Sequence, residues 1–219
     1  MGRRSLLRDR AYQLLRARIV SGQLPPGTSL GEDRLAAELN VSRTPLRDAF
    51  RQLAEEGFVE HEPFKGVRVA RLTPDCVREI FLIREALESV AAREACLSIP
   101  ADALASMRLH FTHLQARIAV GDLSDVGDGI HDLLFEHCPN TRLRRLVGVY
   151  LAHVQWVQHY ARSVPGRLVA AYQEHLALLS ALEARDPELA GLAAATHIRR
   201  TLKDVLAALD SGTQAQHAG

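Results

Sequence analysis

The sequence has no long hydrophobic run. None of its apolar stretches approaches the roughly 20 residues that span a bilayer. The first residues, MGRRSLLRDRAYQLLR, are charged throughout and lack the apolar segment of a secretory signal peptide. We therefore expect a cytoplasmic protein that has no membrane partner.

Cysteine is also scarce, with three residues, Cys76, Cys96 and Cys138, spread widely along the 219-residue chain. An odd number at these spacings forms neither a disulfide framework nor a CxxC pair. We interpret them as small, partly buried thiols in a reducing compartment.

A strong net charge is absent, since the whole chain carries +1, but the charge is unevenly distributed. Residues 1–72 contain 13 lysines and arginines against 9 acidic residues, which gives +4. Residues 73–219 contain 14 against 17, which gives −3. A basic excess in the first third is expected if that part binds a polyanion.

The first third has the pattern of a winged helix-turn-helix domain. Apolar residues at helical spacing predict helices over about residues 3–21, in EDRLAAEL, and from residue 42 to the glycine at 57. The segment GQLPPGTSL separates the first two helices, and Asn40 suits a sharp helix end. Apolar and polar residues then alternate on both sides of EPFKG, which predicts two strands joined by a turn. We assign residues 1–72 to this domain.

The remainder shows no strand pattern and predicts an all-α bundle over residues 73–210. Proline or glycine stands at nearly every helix junction. The predicted helices span about residues 74–97, 101–120, 128–137, 141–162, 165–184 and 187–209. Residues 211–219 are predicted to form a disordered tail. The expected fold class is mainly α, with a C-terminal bundle of six or seven helices.

Three arginines lie four residues apart on the third predicted helix. On a helical wheel with Arg43 at zero, Arg47 and Arg51 fall at about 40° and 80°, while the apolar stripe centres near 290°. They therefore occupy an exposed flank, which is either a solvated face or a surface for a polyanion. A short helix, a tight turn and an arginine-led second helix favour insertion into the major groove of DNA.

In such a complex each predicted contact has a distinct chemistry. Arg43 and Arg47 could each pair with the two acceptors of a guanine edge. Thr44, near the free amides of the helix N-terminus, could position a phosphate. At the hairpin tip, Lys65 could neutralise a phosphate and Gly66 would permit close backbone approach, although Gly66 is also an ordinary turn residue.

The segment LAAELNVSRTPLRDAFRQLAEEGFVEHEPFKGVRV resembles the DNA-binding domain of GntR-family bacterial transcription regulators. The resemblance implies DNA contacts by Arg43, Thr44, Arg47 and Gly66. Family members often place a basic contact residue on the second helix. This chain has an aspartate there, at position 33, so the neighbouring Arg34 is the candidate substitute.

Four later segments are similar to the FadR-type, all-helical FCD domain that is often fused to this unit. They are IFLIREALESVAAREA, HDLLFEHCPNTRLRRLV, YQEHLALLSALEARDPELA and AAATHIRRTL. The resemblance implies a dimerising domain that binds a small organic acid through a metal held by an aspartate and three histidines. The matching histidines are His131, His175 and His197. Neutral imidazoles suit zinc, nickel, iron or manganese, and an open coordination position would accept a carboxylate effector.

The family aspartate is missing from its usual place, four residues before the first histidine, where this chain has Gly127. Asp128, three residues before His131, could face the same side of the helix. It could equally be the N-cap of that helix. A three-histidine site, a site completed by Asp128 and a domain without metal remain open.

Arg84 in LIREALES matches an arginine that lines the ligand cavity in the family. Its guanidinium would bind an effector carboxylate in bidentate fashion. The alternative is an ion pair with Glu88, one helical turn further along the same helix.

These patterns favour a homodimeric transcription regulator, most simply a repressor, that reads a near-palindromic double-stranded DNA operator and is controlled by a small carboxylate metabolite. One alternative is a metal-dependent hydrolase, but no paired general acid and base are present and it would not need an arginine-led helix. Another is a metal-free DNA-binding module whose bundle only dimerises. We predict that the chain is not an enzyme.

Overall fold

The structure is a computed structural model that describes residues 3–120, 129–162, 164 and 166–217. These residues form nine helices and one two-stranded sheet, in the order α1 (Arg3–Val20), α2 (Glu32–Leu39), α3 (Arg43–Glu55), β1 (Val59–Glu62), β2 (Gly66–Val69), α4 (Pro74–Cys96), α5 (Ala101–Ala119), α6 (Ile130–His137), α7 (Thr141–Ala161), α8 (Arg167–Glu183) and α9 (Pro187–His217). The predicted fold class, a winged helix-turn-helix followed by a helical bundle, is confirmed.

The chain divides into two compact units, one built mainly from residues up to Thr73 and the other mainly from Pro74 onward. In the first unit α1 and α2 both pack on α3. The apolar stripe of α3, at spacings of three and four, is fully buried. It comprises Leu46, Ala49, Phe50 and Leu53.

A tight turn between α2 and α3 fixes the angle at which α3 starts. Asn40 adopts a left-handed conformation, with φ 52° and ψ 51°, directly after α2. The amide of Val41 then donates to the carbonyl of Ala36 at 3.0 Å. Asparagine tolerates this conformation better than most residues, so the chain can reverse here and begin α3 at Arg43.

The wing is the antiparallel pair β1 and β2, in which Val59 pairs with Val69 and Glu62 with Gly66. The amide of Leu30 donates to the carbonyl of Val67 at 2.8 Å, so the segment before α2 is hydrogen-bonded to β2. At the tip Gly66 has a φ of 91°, which favours glycine.

The second unit is a bundle centred on two long helices, α4 and α9, which pack along each other. Helix α8 packs on α9, α5 packs on α8, and α6 packs on α4. Among the described residues, none of the helices combines the length and hydropathy that a bilayer crossing requires.

Several helix ends differ from the predicted positions by two residues or more. Helix α6 begins at Ile130 rather than at residue 128, because Gly129 takes a left-handed conformation as its N-cap. Helix α9 continues to His217, past its predicted end at about Leu209. Residues 210–217 contain no proline and one glycine, which does not suffice to stop a helix. The assignment of residues 211–219 to a disordered tail stays a prediction. Gly127 and Asp128 lie outside the described residues.

Candidate functional site

The three arginines of α3 are exposed, as the wheel predicted. The side chains of Arg43, Arg47 and Arg51 retain 63%, 61% and 70% of their accessible surface. The α3 stripe beside them is buried, so the guanidinium groups form a ridge on the outer side of the helix. They are available to a ligand outside the subunit.

Two acidic residues at the start of α2 pair with this ridge. A terminal nitrogen of Arg43 lies 2.6 Å from Asp33 Oδ1. The Nε of Arg47 donates to both carboxylate oxygens of Glu32, at 3.1 and 2.9 Å. Ion pairs this exposed contribute roughly 0–1 kcal/mol, so a polyanion that offers better contacts could displace them.

The remaining predicted DNA-binding residues are also on the surface. Thr44 lies in the first turn of α3, and Arg34 lies on α2, beside the aspartate at the family's basic position. Lys65 and Gly66 lie together at the exposed wing tip. A Cβ added to Gly66 would meet open space, although its positive φ would strain any other residue.

In the second unit α6, α8 and α9 bring together His131, His175 and His197, which we call the histidine centre. One ring nitrogen from each lies within 4.8 Å of the others. The Nε2 atoms of His175 and His197 are 3.0 Å apart. Two imidazoles on one ion, each at about 2.1 Å, stand about 3.0 Å apart at a right angle and about 3.4 Å apart in a tetrahedron. The spacing of His175 and His197 therefore matches two ligands of one ion, and His131 lies close enough to be the third after it moves towards them.

The histidine centre is sheltered from water, since His175 and His197 are buried and His131 is largely so. Burial lowers the pKa of His197 well below its ordinary 6.5, and the neighbouring His175 and His131 act in the same direction. His197 is therefore neutral at pH 7, which is the form that binds a metal.

A buried ion pair stands beside His131. The Nε of Arg84 donates to Glu88 Oε1 at 2.6 Å, so the predicted pair one turn apart is present. Glu88 Oε2 lies 2.6 Å from His131 Nδ1, and a terminal nitrogen of Arg84 lies 3.3 Å from His131 Nε2. Burial alone would raise the pKa of Glu88, but Arg84 and His131 together hold it at about 2.

A second buried carboxylate, Glu174, stands beside His197, with its Oε2 2.8 Å from His197 Nδ1. Arg167 donates to both oxygens of Glu174, and it too is buried. No motif or spacing in the sequence indicated a role for Glu174 or Arg167. Glu174 precedes His175 in the chain, but no spacing rule indicates that it contacts a histidine of another helix.

A cavity adjoins the histidine centre at Arg84 and Glu88. Apart from these two residues and Tyr150, its wall is apolar. The apolar residues are Leu87, Phe135, Val147, Leu151 and Val154. Burial raises the pKa of Tyr150 to about 12, helped by Cys76 and Glu79, so its hydroxyl stays protonated and can donate.

Two family models match the two units of the chain. Residues 7–69 match the model of bacterial regulatory proteins of the gntR family, and residues 79–200 match the FCD domain. The chain belongs to the GntR family, in its FCD-containing branch. Both resemblances found in the sequence are thereby confirmed.

The relatives of this GntR-family protein are transcription regulators. It is 29% identical over 199 residues to the HTH-type transcriptional repressor RspR of Escherichia coli K12, covering 89% of this chain and 86% of the relative. It is 31% identical over 193 residues to a probable D-xylose utilization operon transcriptional repressor of Paenarthrobacter nicotinovorans, covering 82% and 80%.

A solved structure supports the same assignment. The crystal structure of a GntR transcriptional regulator from Rhodococcus sp. RHA1 superposes with a TM-score of 0.70 at 25% identity, covering 92% of this chain and 98% of that one. The GntR-family protein is thus a DNA-binding transcription regulator whose C-terminal FCD domain is an effector-binding domain. The expectation that it is not an enzyme is confirmed by the family and its relatives. Its histidine centre could hold a metal ion.

Proposed function

We propose that this regulator is a cytoplasmic, homodimeric repressor that releases its operator when a small carboxylate binds a metal ion at the histidine centre. The observation that carries the proposal is the convergence of three imidazoles from three helices beside a buried arginine. A cation site with an adjacent guanidinium is suited to an anionic ligand.

For the DNA-binding step, support comes from the exposed ridge of α3 and the wing. Arg43 and Arg47 would read guanine edges, while Thr44 would contact a phosphate at the amides of the helix N-terminus. Lys65 and Gly66 would contact the backbone beside the major groove, and Arg34 would extend the contact from α2. Two such domains, related by a two-fold axis, would read a near-palindromic operator.

For the sensing step, support comes from the donor set. Among the described residues the cluster consists of histidines alone, because Glu88 and Glu174 contact ring nitrogens from outside it. Imidazole donors suit zinc, nickel or iron better than magnesium or calcium, and manganese would need added oxygen ligands. Asp128 stays a candidate for such a ligand.

Arg84 would provide the second contact to the effector. It is buried and already lies 3.3 Å from His131 Nε2, on the wall of the cavity. A carboxylate there would take an open position on the metal and accept hydrogen bonds from the guanidinium. The apolar remainder of the cavity wall favours an acid with a short apolar body, whose binding would have to widen a cavity of about 10 Å³.

Metal analysis of the purified protein tests the sensing step. We expect about one equivalent of a transition metal per chain in the wild type and a loss of it in His175→Ala. His113→Ala, which changes an exposed histidine on α5, is the control and should keep the metal. An equal metal content in His175→Ala and the wild type would refute the assignment.

A thermal-shift screen of small carboxylic acids, run with and without added metal, then tests the effector. An acid at 100 times its Kd should stabilise the protein by roughly 2.7 kcal/mol through mass action. We expect the shift to require both the metal and Arg84, so Arg84→Met should abolish it. A metal-free shift of the same size would argue against a metal-bound effector.

A further inference from the structure

Glu174 is a buried carboxylate that contacts His197 on the side of its ring opposite the other histidines. Its Oε2 lies 2.8 Å from Nδ1 of His197, whereas the cluster forms on the Nε2 side of that ring, where His175 Nε2 is 3.0 Å away. Since Nδ1 and Nε2 lie on different sides of an imidazole, Glu174 stands behind His197 as seen from the metal position.

The contact selects one tautomer of His197. An ionised carboxylate can only accept a hydrogen bond, so Nδ1 must carry the proton that it donates to Glu174. A neutral imidazole then keeps its lone pair on Nε2, the nitrogen that faces His175. This is the tautomer that binds a metal through Nε2.

Arg167 holds Glu174 in place. It donates to Glu174 Oε1 at 3.2 Å and also binds Oε2, and it donates to Asp204 on α9 at 2.9 Å. A buried carboxylate without a counter-ion would be strongly destabilising, and the guanidinium offsets much of that cost. Because Arg167 and Glu174 lie on α8 and Asp204 and His197 on α9, the network also fixes the helices that provide two of the three histidines.

We propose that Glu174, clamped by Arg167, is the positioning residue that holds His197 in its metal-binding tautomer and orientation. This inference rests on the metal-binding part of the proposed function and extends it to a residue outside the histidine cluster. Mutation of such a hydrogen-bond partner typically weakens metal binding 10-fold to 100-fold.

The test compares Glu174→Gln with the wild type by competition titration of zinc against a chelator. Glutamine has nearly the same shape but presents an amide that can donate as well as accept, so it no longer selects the tautomer. We expect zinc to bind about 10-fold to 100-fold more weakly. Glu183→Gln, which removes an acid of α8 paired with the surface residue Arg108, is the matched control and should leave the affinity unchanged.

A second measurement needs no variant. The ¹⁵N shifts of the His197 ring in the metal-free wild type should show a proton on Nδ1 and a bare Nε2. A proton on Nε2 instead would overturn the proposal, as would wild-type zinc affinity in a folded Glu174→Gln protein.

The metal sensor and the positioning role of Glu174 can be refuted separately. If the wild type binds no zinc, the proposed metal sensor is wrong, while the ring shifts still decide whether Glu174 fixes the tautomer. If the wild type binds zinc and either test of Glu174 is negative, the metal sensor stands and the positioning role is wrong.

Discussion

Replacing Arg47 with alanine should separate DNA binding from folding. The side chain is 61% exposed, and its one described partner is Glu32, through an ion pair at 2.9 Å. An exposed pair of this kind contributes at most about 1 kcal/mol to stability. In the proposed complex, however, Arg47 would contact a guanine edge, and losing such a contact costs roughly 1–3 kcal/mol.

We therefore expect Arg47→Ala to bind the operator about 5-fold to 150-fold more weakly, while its midpoint in urea stays close to that of the wild type. The operator would first be selected from random duplexes, and affinity measured by fluorescence anisotropy. The loss should be larger on the selected sequence than on random DNA, because a base contact is specific and a phosphate contact is not.

Arg51→Ala is the matched control, since Arg51 lies one turn further along α3, is 70% exposed and pairs only loosely with Asp48, at 3.5 Å. It should weaken binding slightly and equally for all sequences. If Arg47→Ala retained its full preference for the selected operator, α3 would not be reading bases through Arg47.

Three further predictions concern the N-terminal unit. Asp33→Lys removes the partner of Arg43 and adds a cation at the family's basic position, so DNA affinity should rise and its logarithmic salt slope should steepen by about one unit. Tyr12 has a pKa raised to about 12 by burial and by its hydrogen bond to Glu56, so its contribution to stability is complete below pH 10 and is lost as the pH rises towards 12. The stability gap between wild type and Tyr12→Phe in urea should therefore shrink by up to about 2–3 kcal/mol over that range, and a constant gap would contradict the assignment. Asn40→Val should destabilise the unit by roughly 1–3 kcal/mol because valine is strained at a φ of 52°, whereas Asn40→Gly should be tolerated; calorimetry that finds the two equal would refute this.

The winged domain could be predicted from local chemistry. The αL position of Asn40, the buried stripe of α3 and the alternation around the wing are each fixed by neighbours in sequence, so pattern and structure agree. The exposure of the arginine ridge followed from helical geometry alone. Its pairing with Glu32 and Asp33 did not, because those residues belong to another helix.

The histidine centre could be predicted only through the family resemblance. His131, His175 and His197 are separated by long segments, and nothing local indicates that three helices bring them together. An ion pair with Glu88 was one of the two predicted roles of Arg84, because the two residues lie one helical turn apart. The structure contains this pair. Glu174 was missed, since the packing of α8 on α9 decides which side chain its carboxylate meets.

Control of DNA binding by the effector is tested by the operator affinity of the zinc-loaded protein, measured with and without the carboxylate found in the thermal-shift screen. Coupling between the two sites of about 1–3 kcal/mol predicts that the acid weakens operator binding about 5-fold to 150-fold in the wild type. His197→Ala, which removes one imidazole of the histidine centre, should bind the operator without responding to the acid. The same operator affinity with and without the acid in the zinc-loaded wild type would show that the acid does not control DNA binding.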